Sequence, residues 1–362
     1  MQSHSSRHYV SEFLKDRHPN LDPPDAHKGV IPTEVAVAYG RRGAAKLVQV
    51  LALRGGEEIP HEEHAHCLRV LLRELPTQEL KAQAVWEGAP ASLVALGRSP
   101  SAEVRQLSCR ALSSLCQLRS GRAATIAAGG IEMMTETLWD TPVEVTAALS
   151  SLTADLASCA AAMGSGAGVV RNLVRLIEDE AVAVEAKENA VATLEHIVGS
   201  DAGIMDALRS HVPRAVVRLV AAALGDEALR GPRGTALRVA CASCLARLCH
   251  HTYGKVQVQE AGGIGALARL CLQGEWEVRK RTTAALMGIT IEKDAKVPVA
   301  DLCGRALVSM LRKDEVETAE NARSALLNAC EHPKARAIVQ ALLTTEELDY
   351  FLGSLRQLPP GV

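Results

Sequence analysis

The sequence predicts an all-α protein, a right-handed superhelical solenoid built from six to seven helical repeats. Three observations lead to this fold class. The composition is rich in aliphatic residues and poor in aromatic ones, small-residue turns recur at a nearly fixed interval, and amphipathic helices of one common pattern lie between them.

The composition favours helices with a core of Leu, Val, Ala and Ile. Of the 362 residues, 48% are hydrophobic but only 2% are aromatic. Ala and Leu are strong helix formers, whereas a β-sandwich would be expected to contain more aromatic and β-branched residues. A chain of this length exceeds the usual size of a single hydrophobic core, so it forms either several domains or one continuous stack.

Small-residue turns mark the repeats. Trp86–Pro90, Ala128–Ile131 and Ala261–Ile264 share one pattern, and Gly164–Gly168 is a looser version. Gly88 and Gly129 lie about 41 residues apart, within the range of roughly 40–47 that is typical of armadillo and HEAT repeats. Glycine tolerates the positive φ that such turns between helices require. Periodic recurrence favours turns over phosphate-binding loops.

A longer helix of the pattern V-R-x-x-x-x-x-A-L-x-x-L follows in each repeat, most clearly at Val104–Leu115 and Val278–Ile289. Its apolar positions, three and four residues apart, place one stripe on one face. Helix starts are indicated at Thr141–Glu144, at Ser99–Pro100 and, more weakly, at Asp314–Glu317, because capping residues, Pro and Glu favour the first turn.

These patterns divide the chain into three parts. Residues 1–29 are polar and predict an extended or disordered N-terminal tail. Residues 30–344 hold the repeats, with an insertion at Gly225–Thr235. Residues 345–362 are expected to hold a C-terminal capping helix, Glu346–Leu358, and a short tail, because terminal repeats must cover an apolar face.

Charge and cysteine usage exclude several classes of protein. The formal net charge of -2 gives no electrostatic drive toward nucleic acid or an anionic membrane. The apolar stretches are too short to span a bilayer, and the N-terminus lacks a signal-peptide pattern. Most of the 10 cysteines lie in helical patterns among apolar residues, as buried reduced thiols do, which indicates a cytoplasmic compartment.

The chemistry-bearing motifs fall short of a catalytic or metal site. Cys241 and Cys244, with Cys249 and two histidines nearby, favour core packing over zinc, which needs four converging ligands. His61 and His64 miss the metalloprotease spacing of four residues. The sequence also lacks a Walker A loop and a nucleophile elbow. We therefore expect no catalytic residues, no metal and no cofactor.

The turns and the helix pattern resemble those of the armadillo-repeat family over residues 60–344, with HEAT repeats as the near neighbour. Pro32–Gly40, continuing to Leu47, is similar to the opening segment of the armadillo-repeat radial spoke proteins of motile cilia. That resemblance implies a structural subunit of the ciliary or flagellar axoneme that docks other spoke components in a hetero-complex and has no catalytic activity.

In armadillo proteins the third helix of each repeat lines a groove, where Trp and Asn residues recur once per repeat. Alignment of the third helices predicts that the position of the Asn row is held by Glu74, Ser114, Asp155, His196, Arg247, Gly288 and Asn328. The position of the Trp row is held by Val70, Arg110, Ser151, Ala192, Ser243, Ala284 and Ser324. Only Asn328 matches, so the predicted partner-binding groove is chemically mixed.

The three tryptophans lie near turns or helix ends, where we expect Trp86, Trp139 and Trp276 to fill gaps between repeats. The alternative is that they are exposed anchors for a partner.

Two functions remain. The first is a structural scaffold of a cytoskeletal assembly, the radial spoke, and the second is a soluble adaptor that binds extended peptides in nuclear transport or signalling. An enzyme ranks third.

Overall fold

The computed structural model describes residues 41–52, 60–229, 231, 234–273, 275–345 and 347. The predicted tail at 1–29, the segment Pro32–Gly40 and nearly all of the predicted capping helix Glu346–Leu358 lie outside the described residues. The chain divides into two compact units, residues 1–169 and residues 170–362, which we call the first and the second unit.

The described residues are organised into helices and contain no β-strand. The helices of the first unit are α1 (Arg41–Ala52), α2 (His61–Glu74), α3 (Gln78–Trp86), α4 (Ala89–Leu96), α5 (Ala102–Leu115), α6 (Arg119–Ala127), α7 (Gly130–Glu136), α8 (Pro142–Leu152) and α9 (Leu156–Gly164). Helix α10 (Val169–Glu178) begins at the last residue of the first unit and continues into the second.

The second unit continues with α11 (Val184–Ile197), α12 (Asp201–Arg209), α13 (Val212–Gly225), α14 (Thr235–Leu248), α15 (Thr252–Glu260), α16 (Gly263–Cys271), α17 (Trp276–Ile289), α18 (Lys296–Lys313), α19 (Val316–Cys330) and α20 (Pro333–Gln340). Short 3₁₀ turns lie at Glu227–Leu229 and Lys293–Ala295.

The predicted repeat is confirmed. Within a repeat, a short first helix, a second helix and a longer third helix follow one another, as in α6, α7 and α8. The third helices pack side by side: α2 on α5 and α5 on α8 in the first unit, then α11, α14, α17 and α19 in succession in the second. In the penultimate repeat the long helix α18 replaces the usual pair of first and second helices.

Glycines at the turn between first and second helices do what the sequence predicted. Gly129 adopts φ 78°, and a side chain at Gly130 would collide with Thr125 of α6. The first glycine thus supplies a left-handed backbone, and the second allows α6 and α7 to approach closely. One repeat departs from this rule, because His211 holds the left-handed position with φ 59°.

The core consists of the predicted apolar stripes. Val104, Leu112 and Leu115 of α5 are fully buried, as are Val278 and Leu286 of α17. Burial of each such side chain contributes roughly 1.5–3 kcal/mol through removal of apolar surface from water. Within the described residues, no helix is both long enough and apolar enough to cross a membrane.

Two predicted helix starts need correction. Helix α5 is capped by Ser101, whose hydroxyl accepts a hydrogen bond from the Val104 amide, and not by Ser99. Helix α19 begins after Glu315, without a side-chain cap. At Thr141 the helix begins as predicted with Pro142 in its first turn, although the Thr141 hydroxyl makes no capping bond.

Candidate protein-interaction surface

The outward-facing residues of the third helices form the candidate surface. In the first unit, α5 and α8 are joined by side-chain hydrogen bonds across this face. The Ser113 hydroxyl lies 2.9 Å from the Ser151 hydroxyl and donates to the Ala147 carbonyl at 3.3 Å. Because both helices end in a comparable way, residues of the first unit can be matched from one repeat to the next by their distance from the helix end.

This matching corrects two residues of the predicted groove. Asp155 lies outside α8: it caps α9, accepts from the Ser158 amide at 2.8 Å and binds the Arg122 guanidinium at 2.6 Å. Ser151, two residues before the end cap Thr153, takes its place. In α2 the equivalent residue is Arg73 and not Glu74, since Leu75 is the end cap there.

The same correction applies to the Trp-equivalent row. Val70 is buried in the core, so it cannot contact a partner. Arg69, one residue earlier, is exposed and reaches across to Glu103 of α5. With the corrected register, the first unit carries Arg69, Arg110 and Ala147 in one row and Arg73, Ser114 and Ser151 in the other.

In the second unit the predicted residues lie on third helices, but they differ in exposure and in the bonds they make. Arg247 is exposed and pairs with Glu195 at 3.1 Å, and His196 is half-buried. Gly288 is buried, and a side chain there would meet the Cys249 carbonyl. The Asn328 amide donates to the Met287 carbonyl at 3.3 Å, so this asparagine joins two adjacent third helices.

The tryptophans do not fill gaps between repeats, and that prediction is wrong. Trp86 is 88% exposed at the end of α3, Trp139 is 44% exposed, and Trp276 is 53% exposed at the start of α17. The Lys280 ammonium lies 5.8 Å from the Trp276 ring centroid, and Leu272 and Val316 are also exposed. Trp is among the residues that contribute most to binding between proteins, so these exposed rings are candidate contact points for a partner.

The cysteine cluster belongs to the core. Cys241, Cys244 and Cys249 are all buried. Burial raises the pKa of the Cys241 and Cys249 thiols to about 12 and that of Cys244 well above its ordinary value, so these thiols are neutral. Within the described ranges, no group of three or more potential ligands converges on a metal position.

The predicted histidine-rich stretch is the start of a helix. His61, Glu62 and Glu63 are exposed in the first turn of α2, where carboxylates favour the positive end of the helix dipole. Burial and the neighbouring His61 lower the pKa of His64, which therefore favours the neutral imidazole.

The arginine of the V-R motif has a role that the pattern alone did not indicate. Arg105 donates to the Ser99 and Pro100 carbonyls at 2.8 and 2.9 Å, and it lies 3.8 Å from Asp140 in the next repeat. Arg279 binds both carboxylate oxygens of Asp314, at 2.9 and 2.5 Å. The motif arginine therefore connects its repeat to the acidic residue that precedes the following third helix.

Arg238 extends this rule to the predicted insertion. Its side chain is fully buried and donates to the Leu229 carbonyl, to the Gly231 carbonyl at 3.2 Å and to the Thr235 hydroxyl at 3.2 Å. It also binds Glu275 of the next repeat at 2.5 Å. The described part of the insertion is thus held by a buried cation.

A second set of basic residues, near the start of several first helices, also went unrecognised. Arg122 binds Asp155 at 2.6 Å, Lys255 lies 3.5 Å from Glu292, and Lys296 contacts Glu331. The sequence signal was a Lys or Arg recurring at the repeat interval, at Lys81, Arg122, Lys255, Lys296 and Arg336. The first helices α9 and α12 lack this basic residue, since the equivalent positions hold Cys159 and Ile204.

Comparison with solved structures gives the same fold. An engineered protein solved by the Northeast Structural Genomics Consortium matches with a TM-score of 0.74 and 21% identity over 91% of this chain and 79% of its own. A designed armadillo repeat protein in complex with the peptide (KR)4 matches with a TM-score of 0.58 and 20% identity, over 68% and 99% of the two chains.

A further designed armadillo repeat protein matches with a TM-score of 0.58 and 20% identity, over 66% of this chain and 99% of its own. Neither a protein-family model nor a curated protein matches the sequence. At these identities the likeness establishes the architecture, and the chain therefore has the all-α armadillo-repeat fold.

Proposed function

We propose that the protein is a non-enzymatic scaffold that binds other proteins. The observation that carries this proposal is the set of large apolar side chains that the folded repeats leave in water, led by Trp86, Leu272 and Val316, at 88%, 76% and 73% exposure. An exposed tryptophan that contributes little to the core fits an interface, because Trp is among the residues that contribute most to binding between proteins.

More narrowly, we propose that the scaffold is a radial spoke subunit of the ciliary or flagellar axoneme, assembled with other spoke proteins. The sequence at Pro32–Gly40 supports this assignment through its similarity to radial spoke proteins, although that segment lies outside the described residues. Exposed apolar residues fit the large, fairly apolar interfaces of permanent assemblies. The proposed location is the cytoskeleton of the cilium.

The competing function is that of a soluble adaptor for extended peptides, and the likeness to a designed armadillo repeat protein bound to (KR)4 favours it. The third-helix rows argue against a repeated peptide code. They hold one asparagine, Asn328, whose amide already binds the Met287 carbonyl.

Affinity purification of the tagged full chain from ciliated cells, followed by mass spectrometry, tests the proposal. We expect recovery of axonemal subunits, and a weaker yield with Trp86→Ser than with Glu79→Ala, a matched control at another exposed position of α3. Recovery of nuclear import factors in place of axonemal proteins would contradict the radial spoke assignment. Equal yields from the two variants would remove Trp86 from the interface.

A further inference from the structure

Three arginines in the first unit lie on the outward face of two neighbouring third helices. Arg69 and Arg73 are one turn apart on α2, and Arg110 of α5 is at the position equivalent to Arg69. All three side chains are exposed. We call these residues the arginine row.

Beside the arginine row, α5 and α8 present small side chains. Ser113, Ser114, Ala147 and Ser151 are half-buried, and the hydrogen bond between Ser113 and Ser151 ties them together. Because Ser and Ala side chains are short, another chain can approach these helices closely. The geometry therefore suits an extended segment better than a bulky folded domain.

The positive charge of the row is only weakly compensated within the protein. Arg69 pairs with Glu103, but both side chains are 53% exposed, and Arg73 lies 3.8 Å from Glu74. Exposed pairs of this kind contribute about 0–1 kcal/mol, so an incoming carboxylate can replace them. Arg110 makes no ion pair with any of the described residues.

The acidic residues of the same helices lie mostly toward the opposite end. Glu62 and Glu63 are in the first turn of α2, Glu103 is the second residue of α5, and Glu144 is in the first turn of α8. Glu103 nevertheless contacts Arg69 of the row, and Glu74 lies beside Arg73, so two of the three arginines have a carboxylate nearby. A partner that follows the row from α2 to α5 displaces these two carboxylates and meets Arg110, which has no ion pair within the described residues.

We propose that the arginine row binds an extended acidic segment of a protein partner. This inference rests on the proposed scaffold function and names the chemistry of one partner. Packed helices lie about 8–10 Å apart, and an extended chain advances about 3.3 Å per residue. Carboxylates at every third residue of the partner thus match the step from Arg69 to Arg110.

The test uses the full chain and fluorescein-labelled peptides of about 12 residues, with Glu or Lys at every third position and Gly or Ser between them. Fluorescence anisotropy at about 50 mM salt is expected to show binding of the Glu peptide at least about ten-fold tighter than that of the Lys peptide. The variant Arg69→Ala/Arg110→Ala should weaken Glu-peptide binding at least about five-fold.

Arg119→Ala is the matched control, since Arg119 is exposed on the first helix α6, away from the row. Circular dichroism should show that both variants remain folded. Equal Glu-peptide affinity of the double variant and the control would overturn the proposal, as would equal affinity of the Glu and Lys peptides. This readout is independent of axonemal recovery, so the scaffold function and the acidic partner can fail separately.

Discussion

Replacing Arg238 by Ala should destabilise the second unit far more than replacing another arginine of the same helix. Arg238 is fully buried, and its guanidinium binds two backbone carbonyls of the insertion, the Thr235 hydroxyl and the Glu275 carboxylate. Truncation would leave the Glu275 carboxylate without its cation and the Leu229 and Gly231 carbonyls without their hydrogen-bond donor.

The magnitude follows from the burial of the two partners. Breaking a buried ion pair by removing one member costs about 3–5 kcal/mol. The Glu275 side chain is 30% exposed and keeps a hydrogen bond from Thr235 at 2.9 Å, so water and this bond offset part of the loss. We therefore expect about 3 kcal/mol for Arg238→Ala, at the lower end of that range.

Urea unfolding followed by circular dichroism would measure the loss, and hydrogen exchange with mass spectrometry would locate it. Local exchange is needed because repeat proteins often unfold in parts. The strongest acceleration is expected in residues 225–248. Arg247→Ala is the control: Arg247 is 49% exposed in its pair with Glu195, so its removal should cost less than about 1 kcal/mol. If the two variants differed by less than about 1 kcal/mol, the buried guanidinium would not be what holds the insertion.

Three other changes test the fold. Leu112→Ala removes a fully buried side chain and should lower the free energy of unfolding in urea by about 2–5 kcal/mol. The control Leu156→Ala, at a 64% exposed position, should lower it by less than about 0.5 kcal/mol. An equally small loss for Leu112→Ala would mean that Leu112 is not part of the core. His211→Gly should raise the free energy of unfolding and Gly88→Ala should lower it, each by about 1 kcal/mol in urea unfolding, because both residues have positive φ. Changes of the opposite sign would contradict the turn geometry. Burial raises the pKa of Cys249 from 9.0 to about 12, so the thiol loses its proton more readily in the unfolded chain, and the free energy of unfolding should fall as the pH rises from about 9 to 12. Urea unfolding at several pH values would measure this fall, and alkylation of the native protein at pH 8 should be slow. A free energy of unfolding that does not change over this pH range would contradict the prediction.

The repeat interval, the glycine turns and the third-helix stripes could be predicted from sequence because they are local. Backbone conformation at Gly129 and apolar spacing along α5 depend on residues within one or two turns of each other. The same local information placed the groove position of α8 one helical turn too late, at Asp155 and not at Ser151. Leu149, Leu152 and Leu156 continue an acceptable helical spacing beyond Leu152, where α8 ends, although Asp155 already caps the next helix, α9.

Features set by distant contacts could not be predicted in this way. Arg238 is an ordinary charged residue in its own helix, and only the carbonyls of the insertion and Glu275 in the next repeat explain why it is buried. Trp86 has the size and polarity of a core residue, yet the neighbouring helices leave its ring in water. Sequence periodicity identifies which helix face is apolar, but not whether another helix covers a residue at a helix end.

The charged contacts between repeats also determine where this chain can be divided. Lys255 pairs with Glu292, which follows α17, and Arg279 pairs with Asp314, which follows α18. A fragment that stops at Ile289 would retain both cations and lose both anions. Expression fragments and chimaeras of the second unit should therefore extend through Asp314, since a border drawn at the turns would leave positive charges without their counterparts.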